Sequence, residues 1–146
     1  MSAPEALTPE EQQARRQAVV EMMPKSPFIA GLGLVFEEIA PDAAVVRLPF
    51  RHDLTNDGTF YHGGVVAAVI DTCGALAAWS NHDFNKGMRA STIAMSVQYV
   101  GACKRSDLVC QAHAIKRGKE LIFTEITARD PDGVPVAHAV QTYRIV

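Results

Sequence analysis

Residues 63–80 read GGVVAAVIDTCGALAAWS, and this stretch decides the fold. It predicts a helix in which Asp71 is the single charged residue. On a helical wheel at about 100° per residue, every position within about 60° of Asp71 is small. These positions hold Gly64, Ala67, Ala68, Gly74, Ala75 and Ala78. The larger side chains point elsewhere, so the pattern predicts a mostly buried helix with one carboxylate in a stripe of small residues.

A carboxylate in such a helix has two interpretations. Burying its charge is costly unless it is paired or hydrogen-bonded, so Asp71 is a candidate functional residue in a groove that a ligand or another backbone approaches closely. Alternatively, Asp71 forms structural hydrogen bonds or lies at an exposed edge, and the glycines serve packing alone.

The start of the helix supports the functional interpretation. Gly63 and Gly64 lie where backbone N–H groups are unpaired and the helix dipole is positive, and they let a substrate approach an oxyanion-binding site. Asp71 lies about 10–12 Å further along the axis. Two helices packed in opposite directions would bring one subunit's Asp71 near the other's Gly63, which predicts a site shared across a dimer. His62 is interpreted as a helix cap in preference to a proton carrier.

Outside this helix, the chain predicts one more helix and six strands. Thr8 and Glu11 form a capping-box pattern, and the helix that they begin should end near Met23, before Pro24 and Pro27. Strand-like runs occupy 32–39, 44–50, 92–100, 107–116, 121–130 and 134–145. In 92–100, Ile93, Met95, Val97 and Tyr99 share one face, and Ala94, Ser96 and Gln98 share the other. Few helices among many strands predict an α+β fold, with an antiparallel sheet packed on one helix.

Composition narrows the class of protein. The 146 residues suffice for one domain, and a net charge of -2 gives no electrostatic reason to expect a nucleic acid or membrane partner. Cys73, Cys103 and Cys110 form no C-x-x-C pair, which favours reduced thiols, and Cys73 is interpreted as core. The polar, acidic N-terminus does not resemble a signal peptide, and 63–80 is a poor membrane span. We therefore expect a cytoplasmic protein.

No other catalytic motif is evident. The histidines outside the helix start (His52, His82, His113 and His138) lack a zinc-ligand spacing, and there is no G-x-S-x-G elbow. The sequence therefore predicts neither a metal nor a cofactor.

The pattern N-x-G-x-x-x-H-G-G followed by an aspartate in the helix comprises Asn56, Gly58, His62, Gly63, Gly64 and Asp71. It resembles the PaaI-like (phenylacetate-pathway) branch of the hotdog-fold acyl-coenzyme A thioesterases, from about Phe28 to the C-terminus. The resemblance implies a hotdog fold, in which an antiparallel sheet wraps around one long central helix. Residues 1–27 would then be an N-terminal helical segment and 28–146 the thioesterase domain. The resemblance also implies a homodimer with a continuous sheet, often associated further as a dimer of dimers.

The same resemblance implies hydrolysis of an acyl-coenzyme A thioester. Asp71 would be the general base or the nucleophile, and the Gly63 N–H would polarise the carbonyl. Asn56 would position the water or the carbonyl, although by itself it is equally a turn former. Thr92 would assist the carboxylate.

Basic residues in one turn suggest how the coenzyme is held. Lys116 and Arg117 lie in a basic cluster, and most such clusters in turns are only solvated. The resemblance implies the alternative, that they contact the phosphates of coenzyme A. Two other functions stay open: a non-catalytic acyl-coenzyme A-binding module, and a hotdog enoyl-coenzyme A hydratase or dehydratase.

Overall fold

The structure, a computed structural model, describes residues 5–146 and places six strands around one long helix. The strands form one sheet in the order β1-β2-β4-β5-β6-β3, and all neighbours are antiparallel. The elements are α1 (Pro9–Met22), α2 (Pro27–Leu32), β1 (Val35–Ala40), β2 (Ala43–Leu48), α3 (Gly63–Ser80), β3 (Ala90–Tyr99), β4 (Leu108–Arg117), β5 (Leu121–Arg129) and β6 (Pro135–Ile145).

Helix α3 is the centre of the core. It packs across β2, β4, β5 and β6, and its large aliphatic side chains, such as Val69, Ile70 and Leu76, are fully buried. Burial of each such side chain contributes about 1.5–3 kcal/mol, so this interface dominates the stability of the fold. By length and composition α3 would pass as a membrane span, but 61% of it is buried inside the fold. The predicted hotdog architecture and the bounds of its central helix are confirmed.

Helix α1 begins as the sequence predicts. The Thr8 side chain accepts a hydrogen bond from the Glu11 N–H, and the Glu11 carboxylate accepts one from the Thr8 N–H. Most of α1 is exposed, but the buried Gln12 donates to Asp83 at 2.7 Å and accepts from the Phe84 N–H at 2.9 Å. This amide fastens α1 to the loop that follows α3.

The first predicted strand begins too early. Residues 27–32 form α2, with Pro27 at its first position, and Gly33 ends it in the left-handed region at a φ of 72°. Leu32 and Leu34 are buried on either side of this turn, so one apolar run crosses from a helix into a strand without a break in its hydrophobicity. The division of the chain at residues 27 and 28 stays a prediction.

A β-bulge changes the faces of β3. Thr92 pairs with Tyr143 and Ala94 with Thr142, which leaves Ile93 unpaired and 55% exposed. The regular alternation expected for 92–100 is therefore broken between Thr92 and Ala94. The extra residue turns Thr92 to the helix side of the sheet, as bulges beside active sites often do.

Candidate active site

A groove of about 500 Å³ runs along the less buried half of α3. The small-residue stripe lines it at Gly64, Ala67 and Ala68, and the segment that ends α1 and begins α2 lines it through Met23, Ser26, Phe28 and Ile29. Asp71 and Thr92 lie in the same groove. The stripe is therefore open to a ligand along its first two turns, whereas Gly74 and Ala78 are buried, and the buried Ala75 only borders the groove.

The half-buried Asp71 carboxylate is held through one of its two oxygens. Oδ1 accepts a hydrogen bond from the Thr92 hydroxyl at 2.6 Å and another from the Gln141 side-chain amide, also at 2.6 Å. The same amide donates to the Asp71 carbonyl oxygen at 3.0 Å. Within residues 5–146 no donor bonds to Oδ2, so Oδ2 is the oxygen that a water or a substrate can use.

Gln141 is the site residue that sequence reasoning missed. In β6 it shares the inward phase with Ala137, Ala139 and Tyr143, all of which are buried. A polar residue in the apolar phase of a strand needs a buried hydrogen-bond partner, and this was the available signal.

The N-terminus of α3 has one free donor. The Gly64 N–H donates to His62 Nδ1 at 2.8 Å, and the N–H groups of Val65 and Val66 donate to the His62 carbonyl. Among the described residues, the Gly63 N–H has no acceptor. The interpretation of His62 as a helix cap is confirmed, and because Nδ1 accepts a hydrogen bond, the ring proton is on Nε2. The Tyr99 hydroxyl also donates to the Gly63 carbonyl, at 2.9 Å.

The other predicted residues are not all brought together within one chain. Asn56 is exposed, and its side chain has no hydrogen-bond partner in residues 5–146. Asn56, His62 and Gly63 are not among the residues that line the groove. The structure thus assembles Asp71, Thr92 and Gly64 in one groove, and the assembly of a second subunit's residues there stays a prediction.

The predicted coenzyme contacts lie at the other end of α3. Arg117 donates twice to Asp42, at 3.0 and 2.7 Å, and once to the Ala78 carbonyl at 2.9 Å. Its guanidinium therefore stabilises the C-terminal end of α3, where a cation is favoured. Ala78 is about 10 Å along the axis from Asp71. Lys116 beside it is exposed. Their contact with coenzyme A phosphates stays a prediction.

Other nucleophiles are poorly placed for reaction. Burial raises the pKa of Cys73 to about 12, so this thiol is neutral and belongs to the core, as predicted. Burial, and secondarily the Asp71 charge, raise the pKa of Tyr143, whose hydroxyl accepts a hydrogen bond from Trp79 at 3.2 Å. In the part of the chain that the structure describes, no three His, Cys, Asp or Glu side chains are grouped to hold a metal ion. Asp71 remains the group best placed to act as a base or a nucleophile.

The fold and this groove define a hotdog protein with a carboxylate in an apolar groove, and comparisons identify its family. Residues 58–137 match the model of the thioesterase superfamily, so the chain belongs to that superfamily and is a thioester hydrolase. Human acyl-coenzyme A thioesterase 13 is 26% identical over 116 residues, which is 78% of this chain and 81% of the relative.

Two solved structures share the fold. The PaaI protein from the phenylacetic acid degradation operon of Escherichia coli has a TM-score of 0.78 at 18% identity and covers 92% of this chain and 94% of its own. A hypothetical thioesterase protein from Streptococcus pneumoniae, solved with coenzyme A, has a TM-score of 0.75 at 18% identity and covers 88% of this chain and 96% of its own.

Proposed function

We propose that this protein hydrolyses acyl-coenzyme A thioesters to the free acid and coenzyme A, with Asp71 as the catalytic carboxylate. The observation that carries the proposal is the half-buried Asp71 in an apolar groove, with Oδ1 held by two donors and Oδ2 free of them. The acyl-coenzyme A thioesterase among its relatives supports the choice of substrate class.

The reaction needs a nucleophile and a group that stabilises the oxyanion. Asp71 either takes a proton from a water that attacks the thioester carbon, or attacks that carbon itself and forms an anhydride that water then cleaves. In both cases the C–S bond breaks, and the coenzyme A thiolate leaves and is protonated. Thr92 and Gln141 hold the carboxylate in one orientation, because both donate to Oδ1.

We propose that the oxyanion is bound by the Gly63 N–H of a second subunit, with Asn56 of that subunit positioning the carbonyl or the water. Along one helix, Gly63 is about 12 Å from Asp71, too far for one chain to supply both groups. Strand β3 is an edge of the sheet and carries exposed Ile93 and Tyr99, which supports its pairing with a second copy. The proposed assembly is a cytoplasmic homodimer, associated further as a dimer of dimers.

The groove favours an uncharged, apolar acyl group. Met23, Phe28, Ile29 and Met95 line it, and among residues 5–146 Asp71 is its one charged lining residue. A charged acyl terminus would lose its hydration there without gaining an opposite charge. We propose that Lys116 or Arg117 contacts the phosphates of the coenzyme.

An Asp71→Asn variant tests the proposal. Asparagine keeps the size of the side chain but can neither accept the proton nor form the anhydride, so kcat should fall by a factor of about 10³ or more. The assay follows free thiol release from a panel of aryl, short, medium and long acyl-coenzyme A thioesters. Asp132→Asn, in the exposed turn before β6, is the matched control and should keep full activity.

Three outcomes would contradict the proposal. Full activity in Asp71→Asn would remove the catalytic role of this residue. Binding of coenzyme A thioesters without hydrolysis of any would favour the binding module, and hydration of enoyl thioesters would favour the hydratase.

A further inference from the structure

Two polar side chains are completely buried beneath α3. Thr124 on β5 and Gln141 on β6 each have 0% exposure, although most of their neighbours are apolar. Their positions are partners across the sheet, and the Thr124 hydroxyl donates to the Gln141 Oε1 at 3.2 Å. Buried polar groups without partners are strongly destabilising, so both side chains need the contacts that they make.

The chemistry of the neighbours fixes the orientation of the Gln141 amide. The Asp71 carboxylate and carbonyl oxygens are both acceptors, so the NH₂ group of Gln141 must face them. Thr124 then donates to the opposite side of the amide. A flipped amide would place oxygen against oxygen at Asp71, which is repulsive. Thr124, Gln141 and Asp71 thus form a chain of hydrogen bonds with a single direction.

Helix α3 makes room for this chain at Gly74. A Cβ atom at this position would lie 2.9 Å from Gln141 Cδ, closer than real Cβ atoms come, and 3.0 Å from Thr124 Oγ1, which is an unusually tight contact. Glycine inside a helix costs about 1 kcal/mol relative to alanine, so its presence here needs a reason in packing. The space that the missing side chain leaves is the space that the Gln141 amide occupies.

We infer that Gln141, anchored by Thr124, is a positioning residue that holds the Asp71 carboxylate in its reactive orientation. The inference rests on the proposed function. By binding Oδ1 together with Thr92, Gln141 fixes the carboxylate and leaves Oδ2 as the reacting oxygen. Gln141 reaches the reaction only through Asp71, so its loss should lower kcat and leave KM nearly unchanged.

The test compares Gln141→Met, Thr124→Val and the double variant. Gln141→Met keeps the length of the side chain and removes the donor, so kcat should fall about 10- to 100-fold, the range for a lost hydrogen bond to a charged group, with KM within about threefold. Thr124→Val keeps the shape and frees the amide, so kcat should fall about three- to tenfold. The double variant should be no slower than Gln141→Met alone, because Thr124 acts through Gln141.

The split between kcat and KM is the readout that a purely structural role would not move. Loss of the Gln141 donor should lower kcat alone, whereas a general loosening of the groove would raise KM as well. Gln111→Met, the same change at an exposed position of β4, is the matched control and should leave both kcat and KM unchanged.

Each outcome is decisive. A Gln141→Met protein as fast as the parent chain, or a double variant whose losses simply multiply, overturns the positioning role while leaving the proposed function intact. If the parent chain itself hydrolyses no thioester, the proposed function fails and this inference fails with it. Circular dichroism and thermal unfolding confirm that each variant is folded, and if Gln141→Met does not fold, the kcat and KM of Thr124→Val decide.

Discussion

Replacement of Thr92 by valine should slow hydrolysis about 10- to 30-fold. The Thr92 hydroxyl donates to Asp71 Oδ1 at 2.6 Å, a short bond between a neutral donor and a charged acceptor. Such bonds contribute about 1.5–3 kcal/mol, and because Thr92 is exposed, water compensates part of the loss. A loss of about 1.5–2 kcal/mol of transition-state stabilisation corresponds to a rate about 10- to 30-fold lower.

The comparison of valine with serine isolates the hydroxyl. Valine has nearly the shape of threonine and is equally favourable in a strand, so β3 and its bulge should persist. Serine keeps the hydroxyl and should retain the parent rate within about threefold. The assay is steady-state thiol release at saturating thioester, with thermal unfolding as a check on folding. If Thr92→Val reacts as fast as Thr92→Ser, the hydroxyl does not assist Asp71 and the assignment of Thr92 is wrong.

Three further predictions concern the groove, the coenzyme and pH. Ala68→Leu should fill part of the groove and raise KM for bulky acyl groups more than for acetyl, as measured by kinetics across an acyl series. Lys116→Ala should raise KM for a coenzyme A thioester but not for the corresponding N-acetylcysteamine thioester, and equal effects on both would exclude a phosphate contact. Burial lowers the pKa of His82, so the unfolded chain binds a proton more readily; stability is retained above about pH 6.5 and lost as pH falls below it. The melting temperature should therefore decline toward about pH 5 less steeply in His82→Gln than in the parent chain.

The features that could be predicted are those with local causes. The capping box at Thr8 depends on residues three positions apart, and the central helix is a single apolar run with glycines at its start. Helix α2 also had local signals, Pro27 and Gly33, but its apolar residues merge with those of β1. A hydrophobic run shows that a segment is buried, and it does not show where a helix gives way to a strand.

The bulge in β3 has a cause outside its own segment. Alternation within 92–100 placed Ile93 on one face with Met95, Val97 and Tyr99, whereas pairing with β6 leaves Ile93 unpaired and Thr92 bonded to Asp71. Register is a property of two strands that lie about 50 residues apart here, and neither strand's pattern alone contains it. The resemblance to known thioesterases pointed to Thr92, where strand periodicity could not.

The small-residue stripe shows how much a sequence pattern alone can predict about a site. Its even run of glycine and alanine predicted a single close approach, but the structure divides it at Asp71. Before Asp71 the stripe borders the groove, where small residues leave space for a ligand. After Asp71 it is buried, and Gly74 leaves space for a side chain of the protein itself. The two halves are chemically alike in sequence, so only the position of Gln141, 70 residues from Asp71 along the chain, distinguishes the half that borders the groove from the half that makes room for the side chain holding Asp71.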